Sequence, residues 1–179
     1  MPPTGLLIPS GFILMLRMNG DRYMKTPASI CLLEADNQYL LLKRNKDPFA
    51  GHYVPVGGKL DPNETPIDAA IRETHEETGI QIEAPIYCGT LVETSPVKYN
   101  WILFVYRAEI EWQEPGYCNE GVLEWVHKEN LLSVLTPKTD LFLYEYILNR
   151  RPFMFNAIYD KDIKLLSMRD EISGKQLFG

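Results

Sequence analysis

Residues 58–80 hold the run that most restricts what this chain can form, because Glu73, Glu76 and Glu77 crowd into five consecutive positions just ahead of Gly79. A helix fits residues 65–78. Pro66 suits an early helical position, Ile67, Ala70, Ile71 and Thr74 recur at helical spacing, and Gly79 supplies a stop. On such a helix Glu73 stands three residues before Glu76 and four before Glu77, so the three carboxylates share one side and the apolar residues lie largely on another. Exposed like-charge pairs on a helix repel by a few tenths of a kcal/mol each. A cation reverses that penalty, and hard carboxylate oxygens suit Mg²⁺ or Mn²⁺, with Mg²⁺ keeping several waters and meeting substrate phosphates. Taken alone, an acidic run of this kind is more often a solvated face that binds nothing.

The neighbours of the run change that balance. Gly57 and Gly58 let backbone pass close to a ligand, where their N–H groups are placed to contact phosphate. Arg72, one turn before Glu76, is within reach of Glu64 and would fix the loop against the helix. A solvated helix needs neither feature.

The rest of the chain reads as alternating strands and helices. ASICLLEA and QYLLLKR are two apolar strands joined by the turn signal Asp36-Asn37. Residues 47–59 are loop-like. Strands are expected at 84–94, 99–110 and 121–126, followed by a short helical turn at Leu131 and Leu132 and a second helix over 139–149. A strand fits 153–159 and another 163–167. The pattern predicts an α/β layered domain with a mixed sheet. The expected division is an N-terminal extension over 1–24 without helical period, one domain over 25–170, and a C-terminal tail over 171–179.

Composition enters as a filter. A chain of 179 residues buries one core comfortably and two poorly. Its 24 acidic against 18 basic residues leave a formal charge of −6, which argues against bulk nucleic-acid binding but not against a small phosphorylated substrate. Cys31, Cys88 and Cys118 are far apart and in no metal-ligand spacing, so a reducing, cytoplasmic setting is expected, with the thiols of Cys31 and Cys88 buried. No run reaches the ~18 apolar residues of a membrane span. His52 and His75 sit in no nucleophile or metal pattern, and His75 lies off the acidic face. Scattered aromatics fit a monomer or a homodimer.

The spacing of Gly58, Glu64, Arg72, Glu73, Glu76, Glu77, Gly79 and Ile80 resembles the signature of the Nudix hydrolases at every fixed position, with Thr74 where the family usually carries a larger apolar residue. Three further stretches, 51–59, 118–126 and 151–160, make the chain similar to the MutT-like 8-oxo-dGTP diphosphatases within that family. The resemblance implies an α/β/α sandwich and an Mg²⁺-dependent enzyme (Mn²⁺ also suiting) that attacks a small nucleotide substrate with metal-activated water. From a triphosphate the products are the monophosphate and pyrophosphate.

The same resemblance assigns Glu76 and Glu77 to metal, and Glu73 to metal or to the general base beside Arg72. It also brings in Glu120 from a distant loop and the Gly57 carbonyl. Gly58, Lys59 and Arg44 become candidates for the phosphates, and Asp140, at the start of the second helix, for a purine edge. Phe49, Tyr53 and Trp101 offer stacking surfaces. Two alternatives stay open: a pyrophosphatase acting on ADP-ribose, nucleotide sugars or another nucleoside diphosphate derivative, and a non-catalytic nucleotide sensor.

Overall fold

The computed structural model describes residues 23–179. The expectation for residues 1–24 therefore falls, apart from Tyr23 and Met24, outside the described residues. Strand β1 (Thr26–Ala35) turns at Asp36 and Asn37, both at positive φ, into the antiparallel β2 (Gln38–Arg44). Short polar side chains tolerate that left-handed backbone, and its twist matches the hairpin. The short strands β3 (Tyr53–Val54) and β4 (Val56–Lys59) lead into helix α1 (Pro66–Thr78). Then follow β5 (Ile86–Thr94), β6 (Trp101–Glu109), β7 (Gly121–His127), helix α2 (Lys138–Leu148), β8 (Phe153–Tyr159), β9 (Leu165–Asp170) and β10 (Gln176–Phe178).

The strands form one sheet in the order β10-β9-β8-β5-β6-β1-β2-β3, with β4 also on β1 and β7 also on β2. Two of its pairings, β1 with β6 and β5 with β8, are parallel and the rest antiparallel, so the sheet is mixed. Strand alternation then builds two cores. Leu32 of β1 faces Leu143, Tyr144 and Ile147 of α2, while its neighbours Cys31 and Leu33 face Ala70 of α1. The result is the expected α/β/α sandwich.

Helix α1 is capped at both ends. Thr65 accepts from the Asp68 N–H at 3.3 Å, and Gly79 at φ 74° donates to the His75 carbonyl at 2.8 Å. Its buried face is Ala69, Ala70, Thr74 and Thr78, small side chains that let the helix lie close to β1 and β4. Ile67, expected on that face, is 39% exposed instead. The short helical turn falls on Lys128–Asn130, just ahead of Leu131. At the far edge, Asp170 holds a tight turn by accepting from the Ile172 N–H and the Ser173 hydroxyl. The C-terminal segment 171–179 thus returns as β10 against β9, and the sheet extends to Phe178.

Candidate active site

A cleft of about 550 Å³ opens beside β4, α1 and β5. At one end it is lined by Gly57, Gly58, Glu73, Glu77 and Glu120, with Arg44 and Lys59 beside them. Sequence-distant elements meet here because β4 lies between β1 and α1. Gly57 crosses β1 so closely that a Cβ would collide with the Ser29 carbonyl, and a Cβ on Gly58 would occupy the space of the Glu73 carboxylate. The glycines therefore permit a backbone-to-carboxylate approach that no other residue allows.

Arg72 organises this end. It binds Glu64 in a two-pronged pair at 2.8 Å on both arms, Glu73 at 2.8 Å, Glu76 at 3.2 Å and the Lys59 carbonyl at 3.0 Å. The planar guanidinium fork suits several fixed acceptors at once. The Arg72 bonds and the Asp61 N–H hold the Glu64 carboxyl down to about 2. Glu77 points the other way, accepting from the Gly57 N–H at 2.8 Å. Burial, with Glu120 and Glu73 adding repulsion, pushes its carboxyl up to about 7 against the pull of the Gly57 N–H and Arg44. Glu120 has Lys46 at 3.7 Å. Glu76 is 58% exposed in its side chain, turned towards Arg72, and does not line the cleft. Glu73 and Glu76 meet on the same Arg72 nitrogen and Glu73 and Glu77 both line the cleft, so the three helix acids keep to one side of α1, with Glu76 at its open edge.

The donor chemistry here fits a hard divalent cation. The charge of Glu77 is opposed first by burial and then by Glu120 and Glu73, and a bound cation offsets both. As the side chains stand, Arg72, Lys46 and the Gly57 N–H hold the acids apart, and no group of three or more Asp, Glu, His or Cys among the described residues is gathered into a ready coordination shell.

The other end is built from Glu93, Tyr99, Trp101 and Asp140. Glu93 is 2% and Asp140 8% exposed. Glu93 accepts from the Tyr159 hydroxyl at 2.5 Å, and Thr139 Oγ1 lies 3.3 Å from both that hydroxyl and Asp140 Oδ1. Lys25 donates to the Glu93 carbonyl at 2.6 Å rather than to its carboxylate, so neither acid has an ion pair among the described residues. Burial, then the charge of Glu93, pushes the Asp140 carboxyl up to about 8. Burial also raises Glu93, while Tyr159, Tyr99 and Lys25 oppose it. A neutral Asp140 both donates and accepts.

Phe49, Tyr99 and Trp101 line one wall in edge-on contact, Tyr99 lying 6.1 Å from Phe49 and 6.4 Å from Trp101. Tyr53 is directed elsewhere, donating to Glu124 at 2.8 Å. His52 packs edge-on against Phe49, and His75 is exposed on α1. Cys31 and Cys118 are buried, whereas Cys88, expected to be buried, is only half-buried. Among the described residues no helix is long and apolar enough to cross a membrane.

Glu93 and Tyr99 were not anticipated as site residues. The readable signal for Glu93 was its phase, since it follows Leu91 by two and therefore faces inward on an apolar strand.

Residues 24–147 match the family model described as the NUDIX domain. The chain is 26% identical over 145 residues to the uncharacterized Nudix hydrolase YvcI of Bacillus subtilis, covering 78% of this chain and 90% of that protein. It is 35% identical over 88 residues to an ADP-ribose pyrophosphatase of Methanocaldococcus jannaschii, covering 40% of this chain and 52% of that one. The crystal structure of a mutator MutT protein from Bacillus halodurans superposes with a TM-score of 0.74 at 27% identity, over 82% of this chain and 98% of that one.

Proposed function

The chain belongs to the Nudix family and has its general pyrophosphohydrolase activity, and on that footing we propose that it hydrolyses nucleoside triphosphates carrying an oxidised purine, 8-oxo-dGTP foremost, to the monophosphate and pyrophosphate. The observation that carries the reading is the two-ended cleft, with carboxylates and bases at one end and a buried acid pair beside aromatic rings at the other.

Glu76, Glu77, Glu73 and Glu120, with the Gly57 carbonyl, would hold Mg²⁺. When bound, that ion lowers the pKa of water and neutralises phosphoryl charge. Glu73, pinned by Arg72, accepts the proton of the attacking water. The water oxygen bonds to one phosphorus of the polyphosphate as the P–O bond to its leaving group breaks, and Arg44 and Lys59 offset the charge that builds there. At the far end, neutral Asp140 accepts from the extra ring N–H of an oxidised guanine or donates to its carbonyl, and Glu93 takes a neighbouring N–H. An acceptor buried without its partner costs ~1–3 kcal/mol, which is the physical source of discrimination.

A second reading keeps the phosphate end and changes the occupant of the other. The 35% identity to an ADP-ribose pyrophosphatase over 88 residues favours it. Rates on 8-oxo-dGTP, dGTP, ADP-ribose and a nucleoside-diphosphate sugar at equal Mg²⁺ separate the two. The expected order places 8-oxo-dGTP first in kcat/KM, and a roughly tenfold lead for ADP-ribose, about 1.4 kcal/mol, replaces the first reading with the second.

A further inference from the structure

Far from the cleft, Arg107, Arg150 and Arg151 converge on a separate pocket of about 140 Å³ whose floor includes Cys88. We propose that this pocket is a second ligand site, for a phosphate-class oxyanion. It lies between the start of β5, the end of β6 and the C-terminal end of α2. Ile86 pairs with Arg107 at this end of the β5–β6 ladder and Glu93 with Trp101 at the other, seven residues or roughly 20 Å along the strand.

Among the described residues no carboxylate lines the pocket, although the chain as a whole carries −6. Arg150 is bound to Glu34 at 2.9 Å and Arg151 lies over the Tyr146 ring at 4.1 Å, which sets both guanidiniums in place. Arg107 has no ion pair among the described residues. Arg107 and Arg150 line the pocket together with Cys88, and their charges pull its thiol pKa down against the rise that burial causes. At the C-terminal end of α2 three of the last carbonyls are already engaged. The Glu145, Ile147 and Tyr146 carbonyls accept the N–H groups of Asn149, Arg150 and Arg151. Guanidinium forks grouped around a concavity recognise tetrahedral oxyanions by paired hydrogen bonds, and of the three only Arg150 is already engaged by a carboxylate among the described residues. An enzyme of this activity meets such anions as products, inorganic phosphate and pyrophosphate representing one and two phosphoryl groups.

Two readouts test the site in chelator-containing buffer at constant ionic strength, which removes simple screening. Inorganic phosphate and pyrophosphate are titrated separately, with chloride as the control. The expected result is a saturable rise in Tm and a saturable slowing of Cys88 alkylation by iodoacetamide, followed by peptide mapping. Both responses should be absent with chloride and lost in Arg107→Gln and in Arg151→Gln. Whichever anion saturates at the lower concentration identifies whether the site takes one phosphoryl group or two. No saturable response to either anion, or an undiminished response in both variants, overturns the proposal.

Discussion

The two ends of the cleft use the same residue type in opposite electrostatic settings. At the phosphate end, carboxylates sit under cations: Arg72 serves Glu64, Glu73 and Glu76 at once, and Lys46 stands by Glu120. At the base end, Glu93 and Asp140 are almost fully buried with hydroxyls rather than cations on their oxygens. One end is therefore suited to exchange its partners for a metal and a charged polyphosphate. The other is suited to hold a neutral ring by hydrogen bonds, because burial favours the uncharged carboxyl. Glu77 stands between these cases. It belongs to the charged end yet is buried, and its raised pKa marks it as the acid with most to gain from a cation.

The sharpest way to break this contrast is Glu77→Gln. Turnover with Mg²⁺ should fall by about 100-fold or more, as happens when support for a metal site is lost. Stability measured with chelator should stay level or rise slightly, since a buried, repelled carboxyl has become an amide. Near-normal kcat would place the cation elsewhere. A chelator added to the unaltered chain should abolish turnover for the same reason.

Next in size is selectivity at the other end. Asp140→Asn should cut the ratio of kcat/KM for 8-oxo-dGTP over dGTP by roughly 5–150-fold, the kinetic equivalent of ~1–3 kcal/mol. Glu93→Gln should move the same ratio while changing the metal requirement little. An unchanged ratio with an unchanged Tm in both variants would remove the base-reading role, and an unchanged ratio with a lower Tm would make the pair purely structural.

Tyr159→Phe tests the support beneath the pair. Losing a 2.5 Å hydrogen bond to a buried carboxyl should cost about 1–2 kcal/mol in chemical unfolding. A cost near zero would show that Glu93 is neutral and partnered without it.

The last expected effect is a slope, spread over several pH units. The Asp140 carboxyl is raised from 3.8 to about 8 in the folded chain. Between those values the folded state binds more protons than the unfolded one, so stability falls as pH rises from about 4 to about 8 and is level outside that window. Glu93, Tyr99, Tyr144 and Tyr159 share the electrostatics of that region and shape the curve. Compared with Asp140→Asn, the unaltered chain should lose stability by less than ~1.4 kcal/mol per pH unit, the limit for one proton. Parallel pH curves for the two chains would mean that Asp140 ionises normally.

Local rules carried much of the architecture. The β1–β2 hairpin followed from two apolar runs around Asp36-Asn37, and α1 from Pro66, its apolar spacing and Gly79. These features depend on residues within a few positions of one another, so the sequence displays them directly. The reach of Arg72 to Glu64 was legible for the same reason. The tail did not read as structure, because β10 is three residues long and exists only through pairing with β9. Helical spacing put three acids on one side but did not display their unequal burial, with Glu76 at the open edge and Glu77 packed against the Gly57 N–H.

Sequence by itself determined which chemistry was present: the acids of α1, the glycines that admit them, and the layered α/β order. Tertiary structure alone decided which acids meet. Glu93 and Asp140 lie 47 positions apart on a strand and a helix, and their mutual effect arises only after β5, β8 and α2 exclude water around them. Spacing along a chain encodes neighbours within one element. Desolvation and long-range Coulomb forces act between elements, and they exist only once packing has closed the space between them.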